Sequence, residues 1–131
     1  MKKSDIKNMN TTALAYLGDA VYEVAVRKFI IETGQCFADR LHQIAIGYVR
    51  AEGQAKAMKK LMEELTEEEQ ALVRRARNRK ITSSPRKVDP VVYKLATAFE
   101  AFVGYLYLIE DRARLDWVID RAIAAISEHG A

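Results

Sequence analysis

Apolar residues recur at helical spacing through almost the whole chain, and no stretch alternates apolar and polar positions as a half-buried strand does. The first such segment predicts a helix from about Thr11 to Glu32, ended by Gly34, a residue suited to a left-handed C-terminal cap. A second helical region spans about 38–64, with Leu41, Ile44, Ala45, Tyr48, Val49, Ala55, Met58, Leu61 and Met62 at core spacings. Gly47 or Gly53 is the expected point of bending or division. Thr66 and Glu69 form a capping box, in which each side chain satisfies the other's backbone N–H, and a helix follows into an arginine-rich stretch. Ser83, Ser84 and Pro85 predict a loop, and Asp89-Pro90 predicts an N-cap with a first-turn proline for a helix over 90–109. A last amphipathic helix covers about 112–128. The expected class is all-α.

The chain has 131 residues, most simply one domain, with half of them hydrophobic and 30% charged, an ordinary globular mixture. One cysteine, Cys36, excludes an internal disulfide and fits a reducing cytoplasm. The opening MKKSDIKNMN lacks the apolar run of a secretory signal. The longest apolar run, LATAFEAFVGYLYLI over 95–109, is shorter than the ~20 residues of a spanning helix, so no membrane partner is expected.

Charge changes the picture more. The net charge is +3, but RRARNRKITSSPRK over 74–87 holds seven basic residues and no acid. Without those seven the remainder of the chain stands at −4, a mildly acidic body with one basic segment. That asymmetry points to a polyanion. Arg74, Arg75, Arg77, Asn78, Arg79, Lys80, Thr82, Ser83, Arg86 and Lys87 are the candidate contacts. Lys56, Lys59 and Lys60 either extend that track or form a solvated face.

Two acids stand in apolar company. Asp19 lies in ALAYLGDAVYE, and Glu100 is the only acid between Lys94 and Glu110. An ionised carboxylate taken out of water costs several kcal/mol or more unless it is paired. Alone, each reads as a protonated or arginine-paired structural acid. Together, two converging carboxylates predict a hard cation such as Mg2+, held with waters and substrate phosphate. Glu23, one turn after Asp19, is a candidate third ligand, but Arg27 at four residues' distance makes a surface ion pair the better reading. Lys94 and Thr97 precede Glu100 by successive turns and are candidate cleft-lining residues. There is no zinc spacing, no glycine-rich phosphate loop and no Gly-x-Ser-x-Gly. EELTEEE is similar to the acidic helices of all-α nucleotide pyrophosphatases, without their second acidic motif.

LGDAVYE followed some eighty residues later by ATAFEAFVGYLYL resembles the ribonuclease III catalytic domain, and within it the bacterial Mini-ribonuclease III group. The likeness covers nearly the whole chain, including the lack of a C-terminal double-stranded-RNA-binding domain. It implies an all-helical homodimer that cuts both strands of double-stranded RNA with Mg2+, leaving 5′-phosphates. It further implies maturation of large-subunit ribosomal RNA precursor, with a ribosomal protein as a possible partner on the substrate. Asp19 matches the aspartate of the LGD motif and Glu100 the glutamate that follows the second motif, and Tyr16 falls near the family's subunit interface. Full-length enzymes carry a glutamate where this chain has Ala15 and an aspartate where it has Thr97; the Mini group tends to glycine where it has Ala76. With half of the usual acids, one cation per site is the expected arrangement. The rival reading is a noncatalytic RNA-binding or ribosome-associated helical protein.

Overall fold

The computed structural model describes residues 1–80 and 85–128, and among them every regular element is helical. The helices are α1 (Lys3–Lys7), α2 (Thr11–Glu32), α3 (Ala38–Val49), α4 (Ala51–Leu61), α5 (Glu67–Arg77), α6 (Pro90–Leu108) and α7 (Arg112–Ser127), with a short 3-10 turn over Met62–Glu64. The expected Ser83–Ser84 part of the loop lies outside the described residues.

Helix α6 is the axis of the bundle, with α2, α4, α5 and α7 packed around it and α3 resting on α2. By length and composition α6 could cross a membrane, because the helix begins at Pro90 and is longer than the apolar run within it. Much of its apolar surface is covered by protein: Phe99, Phe102 and Val103 are fully buried, as are Tyr22 and Val26 of α2. Tyr22 meets Phe99 edge-to-face with ring centroids 5.0 Å apart, and its hydroxyl donates to the Tyr48 carbonyl at 3.0 Å. Burial of that phenol raises its pKa.

The elements end where their chemistry requires. Gly34 adopts φ +97 after α2, as its position predicts. The Thr66 hydroxyl accepts from the Glu69 N–H at 3.1 Å, while the Glu69 carboxylate accepts from the Thr66 N–H at 2.9 Å. Glu69 also takes two bonds from the Arg114 guanidinium, at 2.7 and 2.9 Å, clamping α5 to α7. Burial raises Glu69, but those bonds outweigh it and hold its carboxyl below the usual range.

One expectation is corrected. The break inside 38–64 falls at Arg50, whose extended ψ of 157 ends α3 and starts α4. The glycines have a different task at this corner: a Cβ on Gly53 would stand 2.8 Å from the Gly47 carbonyl oxygen, so they allow α4 to press against α3. The N-terminal decapeptide contains α1, which the charge-rich sequence hides; Ile6 alone anchors it in the core.

Candidate active site

The first turns of α2 cross α6 almost backbone to backbone. A Cβ on Gly18 would lie 1.7 Å from the Glu100 carbonyl oxygen, and one on Gly104 would lie 2.0 Å from that of Leu14. Leu14 opposite Gly104, Gly18 opposite Glu100 and Tyr22 against Phe99 make the crossing antiparallel. This contact brings Asp19, the residue after Gly18, close enough to Glu100 for its carboxylate to act on that of Glu100.

The two acids differ in their surroundings. Asp19 is exposed, which corrects the expectation of a buried aspartate: its flanking Ala20 and the preceding turn's Tyr16 are open to solvent too. The desolvation falls on Glu100, which is half-buried. Burial first, then the hydrogen bond to Asp19 and its negative charge, push the Glu100 carboxyl up to about 8, against a smaller downward pull from the Gln54 amide. Ionising both would set two like charges side by side, a repulsion that a bound cation would relieve.

Among the described residues no group of three or more His, Cys, Asp or Glu gathers anywhere. The site therefore offers two carboxylate side chains. That suits Mg2+, which keeps several waters and needs only one or two carboxylates, and does not suit a zinc cage. Glu23 is committed elsewhere, accepting from Arg27 at 2.9 Å on the surface. The Thr97 hydroxyl donates to the Tyr93 carbonyl one turn back at 2.9 Å. Lys94 is half-buried on the same helix. One neighbour escaped the sequence reading: Gln54, 2% exposed, lies within 3.4 Å of Glu100 Oε2. Its only signal is a polar amide four residues before Met58 and seven before Leu61, on the core face of α4.

The basic segment divides. Arg74, Arg75 and Arg77 fill the last turn of α5, where cations favour the helix dipole. Arg75 donates to the Lys7 and Met9 carbonyls at 2.7 and 3.2 Å, and Arg79 to the Asn10 side chain at 2.7 Å. Asn10 also caps α2, accepting from the Thr12 N–H at 2.8 Å. These two arginines thus fasten the N-terminal segment to the body that carries Asp19. Arg74 donates to Gln70, and Arg77 to the exposed Asn78, whereas Lys80, Arg86 and Lys87 face solvent. Thr82 and Ser83 lie outside the described residues. Lys60 pairs with Glu128 on α7's end. Ala76 is buried within an unbroken α5. Arg75→Ala should lower Tm by a few degrees, whereas Arg86→Ala with Lys87→Ala should leave Tm unchanged and weaken the salt dependence of binding to a polyanion. Melting curves and a binding titration at several salt concentrations separate the two.

The ribonuclease III domain family matches residues 12–111, a span that includes both acids. The chain is 39% identical to the Mini-ribonuclease 3 of Enterococcus faecalis over 95% of this chain and 96% of that protein. With the Mini-ribonuclease 3 of Symbiobacterium thermophilum it shares 48% identity over 83% of this chain and 84% of that one. The crystal structure of a Fusobacterium nucleatum protein matches the fold with a TM-score of 0.82 at 32% identity, covering 92% of this chain and 96% of that one. A chain matched by that family over 12–111, and 39% and 48% identical to two Mini-ribonuclease 3 proteins over most of its length, belongs to the ribonuclease III family, in its Mini-ribonuclease III branch.

Proposed function

We propose that this ribonuclease III-type endoribonuclease cleaves double-stranded RNA with Mg2+ at the Asp19–Glu100 pair, as a cytoplasmic homodimer of single-domain chains. The reading rests on one observation: α2 and α6 meet at a backbone-tight crossing that brings two carboxylates together, the charge of Asp19 acting on the half-buried Glu100. Asp19 and Glu100 would hold the cation. When bound, Mg2+ supplies an activated water and offsets charge developing on the phosphate. The half-buried setting of Glu100 strengthens its hold on positive charge. The exposed Lys80, Arg86 and Lys87 would touch backbone phosphates, which position a duplex without reading its sequence.

A site with one acid pair cuts one strand, so cutting both calls for two chains about a twofold axis. Tyr16, Val24 and Ile31, 85%, 69% and 61% exposed, return to one side of α2 and support a dimer face there. Fully buried Phe99 and Phe102 belong to the core and contribute nothing to such a face. The natural substrate in this reading is a large-subunit ribosomal RNA precursor, with a ribosomal protein bound to it as a possible partner.

The test is a gel assay on long double-stranded RNA with and without Mg2+, comparing the unaltered chain with Asp19→Asn. The expected result is Mg2+-dependent cutting that the variant loses while it still binds. Binding without cutting by both, on precursor RNA as well, would replace this reading with a noncatalytic RNA-binding protein.

A further inference from the structure

The Gln54 side chain is 2% exposed, and only part of its amide is used. Nε2 donates to the Val49 carbonyl at 2.9 Å and reaches Glu100 Oε2 at 3.4 Å. Oε1 is buried with no hydrogen-bond partner. An unmet buried acceptor is destabilising, so as a packing element this glutamine is inferior to a methionine of similar length. What distinguishes glutamine from methionine here is the pair of N–H donors.

Their direction is fixed by the fold. Val49 is the last residue of α3, so its carbonyl has no continuing helix to satisfy it, and the Gln54 amide takes that place. Turning the amide over would set Oε1 against the Val49 oxygen, acceptor against acceptor. Contact between Gly53 and the Gly47 carbonyl keeps the first turn of α4 pressed on α3, which leaves Gln54 little freedom to withdraw. The second N–H is thereby aimed at the Glu100 carboxylate from the side of α4, while Asp19 approaches from α2.

We infer that Gln54 is a positioning residue of the site: its amide, clamped by the α3–α4 corner, holds Glu100 Oε2 and so orients the carboxylate that faces Asp19 for a divalent cation. This rests on the metal reading above and adds a third element, α4, to the site. Groups that orient a metal-binding carboxylate typically change affinity or activity by 10–100-fold when removed.

The test uses the full chain without RNA and Mn2+ as a spectroscopic stand-in for Mg2+, with free Mn2+ read by electron paramagnetic resonance. Gln54→Met should bind Mn2+ about 10–100-fold more weakly than the unaltered chain while melting within a few degrees of it. In cleavage assays the Mg2+ concentration for half-maximal rate should rise by a similar factor, with kcat at saturating Mg2+ largely recovered. A purely structural role predicts the opposite split, a smaller active fraction at every Mg2+ concentration. Should Gln54→Met fail to fold, Gln54→Asn, which keeps the amide but shortens its reach, carries the same expectation. Mn2+ affinity within twofold of the unaltered chain in a folded variant overturns the positioning role alone. No Mn2+ binding by the unaltered chain, with Asp19→Asn as the matching control, overturns the metal reading and this inference with it.

Discussion

Glu100→Gln should abolish cleavage and, at alkaline pH without metal, make the protein more stable. Loss of one of two carboxylates from the site is expected to lower the rate about 1,000-fold or more, equivalent to roughly 4 kcal/mol of transition-state stabilisation. The stability change follows from the raised Glu100 carboxyl, at about 8 folded against 4.5 for an unperturbed glutamate. Below about pH 4.5 it is protonated in both states, and folding is not penalised. Between there and about 8 the unfolded chain releases a proton that the folded chain keeps, so stability falls as pH rises; above that it is level. Water reaches the site through exposed Asp19, which leaves on the order of 2 kcal/mol of penalty at pH 8, or about 7 °C in Tm. Glutamine has no charge to desolvate. Its advantage should therefore be large at pH 8 and nearly absent at pH 5. A structural acid would behave the same way, so the deciding comparison is Mg2+. At 100 times its Kd, a ligand adds about 2.7 kcal/mol to the protein that binds it. Calorimetry at pH 8 should show Mg2+ raising Tm in the unaltered chain and not in Glu100→Gln. Equal Mg2+ responses in the two proteins would remove Glu100 from the cation site.

The parts of this molecule that were legible in the sequence are those set by local rules. Asp89-Pro90 starts α6 and Gly34 stops α2 because capping depends on a few neighbouring atoms. Asp19 and Glu100 stood out because an acid in an apolar helix breaks the pattern around it. What the pattern concealed was the distribution of cost: helical spacing cannot say that α2 turns Asp19 to solvent while Glu100 stays half-buried. Arg75 and Arg79 illustrate a second limit. A run of cations reads as one polyanion-binding surface, yet these two are directed to carbonyl and amide oxygens of the N-terminal segment more than sixty residues away in sequence. Gln54 illustrates a third. Its relation to Glu100 spans 46 residues and depends on a corner that falls at Arg50, between the two glycines and at neither.

Gly18→Ala should be among the most damaging single-methyl additions in the chain. The new Cβ would stand 1.7 Å from the Glu100 carbonyl oxygen, 2.7 Å from its carbon and 2.8 Å from the Gly104 nitrogen. All three are backbone atoms, so no rotamer change can make room, and α2 must move off α6 by an ångström or more. That movement loosens the contact shared by Leu14, Tyr22, Phe99 and Val103, which are fully buried. Overpacking alone costs about 1–3 kcal/mol, and loss of this dry surface carries the total to the upper end or beyond. The effect on activity should exceed the effect on folding, since Asp19 is the next residue and travels with α2 while Glu100 stays with α6. A misplacement of about 1 Å between reacting groups can cost 100-fold. Gly104→Ala meets the same crossing from the other helix, at 2.0 Å from the Leu14 oxygen, and should behave alike. Gly34→Ala provides the contrast: its φ of +97 strains any side chain by about 1–2 kcal/mol, but nothing lies within 4 Å of the added carbon. It should lower Tm by several degrees and leave specific activity per folded molecule intact. Unfolding curves and active-site titration of all three variants distinguish a crossing that sets the geometry of the carboxylates from one that only packs the core. If Gly18→Ala cuts RNA at the normal rate per folded molecule, the α2–α6 contact is not what brings Asp19 and Glu100 into register.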